Sequence, residues 1–180
     1  SGLYSFQPAI PATNLSQCTM VTPATISKEQ VWNLLQQVTD PEIPVLTIHD
    51  LGILRNVEVN DNGQVEVFIT PTYNGCPAMD MISMNIRLAL AEHGVNNVKI
   101  TSILSPAWTT DWMSEEGKQK LKEYGIAAPD QCFVIAADGV ECPHCNSTNT
   151  RLISEFGSTA CKALYQCNEC KEPFDYFKCH

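Results

Sequence analysis

The sequence predicts an α+β protein in two parts: a small mixed sheet with helices on one face, followed by a compact metal-binding module. Two observations lead to this fold class. Helical and strand-like patterns follow one another in the order α-β-β-α-β-(α)-β, and six of the nine cysteines lie in the last 41 of the 180 residues. With 44% hydrophobic residues, the chain has enough apolar side chains for a core.

The helices are predicted from apolar spacing and from residues that favour helix ends. A helix over 28–39 follows Ser27, which opens a Ser-x-x-Gln capping box, and this helix ends before Pro41. Pro77 opens a second helix that continues to about residue 93. A short polar helix is predicted over 114–124.

The strands are predicted from alternating apolar and polar residues. Two strands over 53–59 and 65–70 flank an Asn-Asp-Asn-Gly turn, which indicates a hairpin. Further strands are predicted over 98–104 and 132–136. Because helices are interleaved with these strands, we expect them to cover one face of a small mixed sheet.

Composition divides the chain into three segments. Residues 1–26 are rich in proline and small polar residues and are predicted to be a flexible arm or an appended extension. Residues 27–139 form the α/β domain, and residues 140–180 form the cysteine-rich module. A module of this size needs a staple such as a metal ion to fold.

Two Cys-x-x-Cys pairs predict the metal site of this module: Cys142 with Cys145, and Cys167 with Cys170. Each pair places two thiolates on one tight turn. Two facing turns form a tetrahedral four-sulfur site, which suits structural Zn²⁺ in a zinc ribbon. A redox dithiol, an iron–sulfur site and disulfides are the alternatives for the same residues.

Cys76 stands between a predicted strand and a predicted helix, in the segment Asn-Gly-Cys-Pro. Its sulfur is therefore expected at a helix N-terminus, where unpaired N–H groups and the helix dipole favour a thiolate. Such a thiolate is a nucleophile or a soft-metal ligand, and an inert buried cysteine is the alternative. Asp40 and Glu42 either cap a turn or share the site of Cys76, where a metal would offset carboxylate–thiolate repulsion.

Charge and motifs exclude several classes of function. Eleven basic and twenty acidic residues give a net charge of −9, which disfavours nucleic-acid binding. No apolar run is long enough for a transmembrane helix. Phosphate-binding glycine loops, Gly-x-Ser-x-Gly and His-Glu-x-x-His are absent from the sequence, so it shows no catalytic apparatus. Metal-bound thiolates predict a reducing, cytoplasmic location.

Several segments resemble known families. Asp40-Pro-Glu-Ile-Pro, Asp50-Leu-Gly and the Gly-Cys-Pro stretch around Cys76 resemble the metal–sulfur cluster assembly domain of iron–sulfur carrier and targeting factors. Segments 156–165 and 172–179 are similar to the PaaD (PaaJ) family of bacterial phenylacetyl-CoA epoxidase systems. The resemblance covers residues 27–180. It implies a two-layer iron–sulfur cluster assembly-like domain plus a C-terminal zinc ribbon.

The resemblance also implies a function. It implies an accessory factor of aerobic phenylacetate degradation, in which an oxygenase epoxidises the aromatic ring of phenylacetyl-CoA. Such a factor would mature the complex by carrying or inserting an iron–sulfur cluster into the reductase component. The implied partners are the oxygenase and reductase components, with Zn²⁺ as a structural metal. Cys76 matches the family's cluster-associated cysteine, and Asp40 and Glu42 match its acidic motif.

One motif cysteine supplies fewer thiolates than a stable cluster needs. The cluster is therefore expected to be transient, either shared across a homodimer or held by another ligand. Cys161 and Cys179 are candidate extra ligands if the ribbon folds back on the domain; otherwise they are buried small hydrophobes. The rival functions are a non-catalytic structural or adaptor subunit of the oxygenase, a thiol redox enzyme and a nucleic-acid-binding ribbon.

Overall fold

A mixed three-stranded sheet forms the centre of the first part of the protein. The structure is a computed structural model and describes residues 26–129 and 139–178. Strands β1 (Leu54–Val59) and β2 (Val65–Ile69) form the predicted antiparallel hairpin. The chain then crosses over through a helix, so that β3 (Val98–Ser102) lies parallel to β2. The sheet order is β1-β2-β3.

Helices α1 (Lys28–Leu35) and α2 (Ala78–Ala91) pack on each other and against the sheet. The predicted capping box is present, because the Ser27 hydroxyl accepts from the Gln30 N–H and the Gln30 side chain accepts from the Ser27 N–H. A short 3₁₀ turn and α3 (Glu115–Glu123) follow the sheet. The predicted helices at 77–93 and 114–124 are thus confirmed to within two residues.

The first helix ends four residues earlier than predicted, at Leu35 rather than residue 39. The reason is tertiary: residues 38–40 pair with residues 46–48 instead of extending the helix. The Asp40 N–H donates to the Leu46 carbonyl at 2.9 Å, and the Ile48 N–H donates to the Val38 carbonyl at 2.9 Å. This pairing closes the loop that carries Asp40 and Glu42.

The cysteine-rich module is a four-stranded sheet in the order β4-β7-β6-β5. Three of its strands belong to the last part of the chain: β5 (Thr150–Ser154), β6 (Lys162–Cys167) and β7 (Pro173–Phe177). The fourth, β4 (Ile126–Ala127), follows α3 directly and pairs in parallel with β7. This edge strand, which was not predicted, joins the ribbon to the preceding domain.

Side chains of the ribbon also enter the core of the first domain. Phe177 is 2% exposed and Cys161 is 4% exposed, and both belong to the same buried cluster as β1, β2 and α2. The Phe177 ring meets the buried Trp108 ring edge-on at 6.0 Å between centroids. The Trp108 indole N–H donates to the Leu51 carbonyl at 2.8 Å. The two parts therefore share one hydrophobic interface.

The predicted α+β class, with a small mixed sheet, helices and a ribbon, is confirmed. The predicted strand at 132–136 and the predicted arm, up to residue 25, lie outside the described residues. The division between residues 139 and 140 stays a prediction. Within the described ranges, no helix has both the length and the apolar character needed to cross a membrane.

Candidate functional site

The four ribbon cysteines converge on one point. The Sγ atoms of Cys142, Cys145, Cys167 and Cys170 all lie within 4.8 Å of one another. The Cys142–Cys170 sulfur distance is 3.8 Å and the Cys145–Cys167 distance is 3.5 Å. A tetrahedral ion with a metal–sulfur distance of about 2.3 Å needs sulfurs about 3.8 Å apart. The four predicted residues thus form a group that fits a metal ion, and its geometry suits zinc or iron.

The backbone shapes both metal-binding turns in the same way. The residue after each second cysteine, Asn146 or Lys171, has a positive φ, of 60° and 69° respectively. Burial acts to raise the pKa of the Cys167 thiol, but the N–H groups of Cys170 and Glu169 outweigh it and lower that pKa to about 7. These N–H groups therefore favour the thiolate at Cys167, and the thiolate is the form that binds a metal. Backbone N–H groups act in the same direction at Cys145 and Cys170, but burial and the neighbouring thiols outweigh them and raise both pKa values.

Cys76 lies in the loop between β2 and α2, one residue before the Pro77 cap of the helix. It is half-buried. Burial raises the pKa of its thiol, and the charges of Glu42 and Asp40 add to this. The Ala78 N–H and the Tyr73 hydroxyl lower the pKa but do not outweigh burial. The N–H group at the start of the helix therefore favours the Cys76 thiolate, as predicted, but burial and the nearby carboxylates outweigh this effect.

Asp40 is a buried carboxylate that organises its own loop. One of its oxygens accepts from the N–H groups of Glu42 and Ile43, both at 2.8 Å. Burial raises the pKa of Asp40, although these two hydrogen bonds and the charge of Lys162 act in the opposite direction. Asp40 thereby fixes the backbone from which Glu42 extends.

Glu42 contacts a thiol from the ribbon. The Cys161 Sγ lies 3.7 Å from Oε2 of Glu42 and 3.0 Å from the Thr159 hydroxyl. Burial raises the pKa of Cys161 to about 11, with the negative charges of Glu42 and Asp40 adding to it. The ribbon therefore folds back onto the acidic loop, as considered from the sequence. Cys179 lies outside the described residues.

Tyr73 contacts the Cys76 thiol through its hydroxyl and is influenced by the charge of Cys161. Burial raises the pKa of the phenol, and this contact and the negative charges of Cys76, Glu42 and Cys161 raise it further. Tyr73 also lines a cavity of about 310 Å³ beyond the carboxyl ends of β2 and β3. That position, after adjacent parallel strands, is a common place for ligands. The buried Thr70 hydroxyl on its wall has no hydrogen-bond partner among the described residues.

Three residues of this site were missed by sequence reasoning: Tyr73, Thr159 and Lys162. All three lie inside segments that carry the family resemblance, Thr70–Pro77 and 156–165. Their proximity to a motif cysteine was the available signal. Nothing in their spacing indicated that two segments almost 90 positions apart would meet.

Both parts of the chain match known protein families. Residues 28–101 match the family described as iron–sulfur cluster assembly protein, and residues 133–178 match the PaaD zinc beta ribbon domain. One relative, from Escherichia coli (strain K12), is named as a subunit of a "Putative 1,2-phenylacetyl-CoA epoxidase". It is 53% identical over 87% of this chain and 97% of its own length.

Two further relatives match about half of the chain. An iron–sulfur protein maturation auxiliary factor of Porphyromonas gingivalis is 41% identical, over 53% of this chain and 90% of its own length. The auxiliary factor YitW of Bacillus subtilis is 34% identical, over 51% of this chain and 89% of its own length. The assembly domain is thus shared with proteins named for iron–sulfur maturation.

Proposed function

This chain belongs to the PaaD family, and from that premise we propose that it carries or inserts an iron–sulfur cluster through Cys76 as a non-catalytic maturation factor. Its assembly domain and its relatives indicate an iron–sulfur assembly-type role. The proposal adds the residue that holds the cluster and the protein that receives it.

The position of Cys76 is the observation that carries the proposal. Its thiol is half-buried and shares its surroundings with Tyr73, Glu42 and Asp40. An iron–sulfur cluster held tightly usually has four cysteine ligands. A site built around one motif cysteine binds its cluster less tightly, which suits a protein that must release it.

Asp40 and Glu42 act as supporting residues in this proposal. Asp40 is 7% exposed and holds the loop through two backbone hydrogen bonds. Glu42 then places a carboxylate at the site. Negative charge there raises the pKa of Cys76 and would be offset by bound iron. The acidic motif thus favours a site that holds iron over an empty site in which the Cys76 thiol is ionised.

The proposed recipient is the reductase component of the phenylacetyl-CoA ring-epoxidising oxygenase, whose [2Fe–2S] cluster must be supplied. The name of the Escherichia coli relative supports an association with a phenylacetyl-CoA epoxidase, and the choice of the reductase as recipient is part of the proposal. We place the reaction in the cytoplasm, where thiols remain reduced. Oxygenase and reductase components are the partners.

Zinc is the proposed occupant of the ribbon site. The sulfur distances of 3.5 and 3.8 Å fit a closed four-thiolate site, which leaves no position open for chemistry. The four cysteines would hold the two turns together and supply folding free energy to a small module.

Anaerobic reconstitution with ferric iron, a thiol reductant and sulfide tests the proposal. Iron, acid-labile sulfide and zinc are measured, and the loaded protein is mixed with the apo-reductase. Cys18 lies in the predicted arm, outside the motifs that carry the family resemblance, and Cys18→Ala serves as a thiol control. We expect the wild type and Cys18→Ala to bind iron and sulfide and to restore the reductase cluster. Cys76→Ala should keep about one zinc per chain and lose iron and sulfide.

Zinc alone in both the wild type and Cys76→Ala would overturn cluster carriage. A fixed stoichiometry with the purified oxygenase would then favour the adaptor subunit. A reversible disulfide accompanied by zinc loss would instead favour a thiol redox enzyme.

A further inference from the structure

We propose that Cys161 of the ribbon is a second thiolate ligand of the cluster carried at Cys76, so that the carrier site spans both parts of the chain. This inference rests on the proposed function. It assigns to the ribbon a direct part in cargo binding, in addition to its own four-cysteine metal site.

The position of the Cys161 sulfur is well defined by contacts from both sides. Its thiol lies 3.7 Å from Oε2 of Glu42, a residue 119 positions earlier in the chain. The Thr159 hydroxyl contacts the same sulfur at 3.0 Å. The Lys178 N–H donates to the Cys161 carbonyl at 2.9 Å and ties its backbone to the segment after β7. The sulfur therefore faces the acidic loop rather than the ribbon's own metal site.

The surroundings of Cys161 are unusual for a cysteine that only fills space. Within reach of its sulfur are a carboxylate and a hydroxyl, and the buried Asp40 and Lys162 act on its charge. A buried thiol that serves as a small hydrophobe needs apolar neighbours only. The Cys161 thiol therefore lies at the boundary between the apolar core, to which it belongs, and this group of polar side chains.

Tyr73 contacts Cys76 and is also acted on by the charge of Cys161. Its hydroxyl contacts the Cys76 thiol, and its ionisation is opposed by the charges of both Glu42 and Cys161. The same two carboxylates, Asp40 and Glu42, act on both thiols. The loop before α2 and the loop before β6 therefore bring their cysteines to a common set of neighbours.

A single ion does not fit Cys76 and Cys161 together with the two carboxylates, so the proposed ligand is a cluster. Among the residues that the structure describes, only the four ribbon cysteines have three or more donor atoms close enough to share one ion. Cys76 and Cys161 share neighbours without forming such a compact group. An iron–sulfur cluster distributes its thiolate ligands over several iron atoms, so it can bridge two thiols that one ion could not.

Loading such a cluster has a simple proton balance. At each cysteine the S–H bond breaks and an S–Fe bond forms, and the proton leaves to solvent. Lys162, which is 5% exposed and lies 3.8 Å from Asp175, contributes positive charge that offsets the new thiolate. No oxidant or reductant is needed, because the cluster enters already assembled.

The test compares Cys161→Ala and Cys161→Ser with the wild type and with the thiol control Cys18→Ser. Each protein is reconstituted anaerobically with ferric iron, a thiol reductant and sulfide. Zinc content, the visible spectrum and the rate at which a chelator removes iron are then measured. Alanine preserves an apolar buried position, and serine preserves a potential oxygen ligand.

We expect both Cys161 variants to keep zinc and to lose iron to the chelator about tenfold faster than the wild type. Cys161→Ser should also shift the sulfur-to-iron absorption, and Cys18→Ser should behave as the wild type.

Three results would overturn the inference. In the first, both Cys161 variants show wild-type spectra and iron release rates, and Cys76→Ala binds no iron. The proposed function would then remain, with the cluster held at Cys76 alone or between two copies of the chain. Loss of zinc together with iron would assign Cys161 a structural role. Failure of the wild type itself to bind iron would overturn the proposed function as well.

Discussion

Two buried aspartates of this protein have opposite pKa shifts, although both are less than one-tenth exposed. Burial raises the pKa of Asp40. Burial acts on Asp50 too, but the Thr47 N–H, the Lys120 ammonium and the Ser114 hydroxyl outweigh it and lower its pKa. The Lys120 nitrogen lies 2.9 Å from the Asp50 carboxylate. Asp40 also accepts two backbone hydrogen bonds, but burial outweighs them there, so the balance between burial and hydrogen bonding decides the sign at each residue.

The first prediction concerns Asp50→Asn. A folded pKa below the ordinary 3.8 means that the ionised carboxylate stabilises the fold above pH 3.8. That stability is lost as the pH falls through the folded pKa. We expect Asp50→Asn to lower the unfolding free energy by about 2 kcal/mol at neutral pH. The difference from the wild type should shrink below pH 3.8, as measured by urea denaturation across pH.

Asp40→Asn serves as the comparison with the opposite sign. Its folded pKa lies above 3.8, so the carboxyl contributes most stability below pH 3.8, and this contribution is lost as the pH rises through the folded pKa. Asparagine keeps an oxygen for the Glu42 and Ile43 N–H groups. The wild-type advantage over Asp40→Asn should therefore shrink with rising pH. The same trend in both variants would contradict this assignment.

At the scale of elements, the turn before β1 depends on a glycine that packs against the 3₁₀ turn Thr110–Trp112. Gly52 has φ +66°, and a Cβ there would lie 2.4 Å from the Trp112 carbonyl oxygen. Both the backbone conformation and the space exclude a side chain. Gly52, the last residue of the Asp-Leu-Gly segment, therefore allows the turn before β1 to pack closely against the 3₁₀ turn.

Gly52→Ala tests this contact, with Gly63→Ala as its matched control. Gly63 also has a positive φ, of +76°, but no atom lies within 4 Å of its would-be Cβ. Left-handed strain alone costs about 1–2 kcal/mol, so this is the loss expected for Gly63→Ala. Gly52→Ala adds a clash with backbone and should cost clearly more in chemical denaturation. Equal losses of unfolding free energy in the two variants would show that the 3₁₀ turn shifts to accommodate the added methyl group at no cost in free energy.

At the scale of the whole molecule, the ribbon and the assembly domain stabilise each other. The ribbon contributes β7 to a pairing with β4, and it contributes Phe177 and Cys161 to the assembly domain's core. A second, smaller cluster contains Phe174 with Cys142 and Cys167 and belongs to the ribbon itself. Two phenylalanines three positions apart thus serve two different cores.

The variants Phe177→Ala and Phe174→Ala separate these two cores. Loss of either buried ring should cost about 3–5 kcal/mol. We expect Phe177→Ala to lower the unfolding free energy of the assembly domain and to change Trp108 fluorescence, because the two rings touch. Phe174→Ala should mainly weaken metal retention by the ribbon. Measurements of fluorescence-detected unfolding and of zinc release by a chelator distinguish the two results.

Local features of this protein were predictable because their causes are local. The Ser27 capping box, the β1–β2 hairpin and the start of α2 at Pro77 each follow from residues within one turn of the chain. The two Cys-x-x-Cys pairs predicted a metal site for the same reason, since each pair is set by its own tight turn. The end of α1 was predicted wrongly because residues 38–40 pair with a segment beyond the loop.

The sequence by itself determined the α+β class, the metal-binding ribbon and the family, because these depend on periodicity and on motifs with fixed spacing. Only the tertiary structure decided that β4 joins the ribbon sheet and that Cys161 meets Glu42 across 119 positions. It also decided that burial outweighs the helix N-terminus at Cys76. Such outcomes depend on which surfaces pack together, and packing is a property of the whole chain that no short segment encodes.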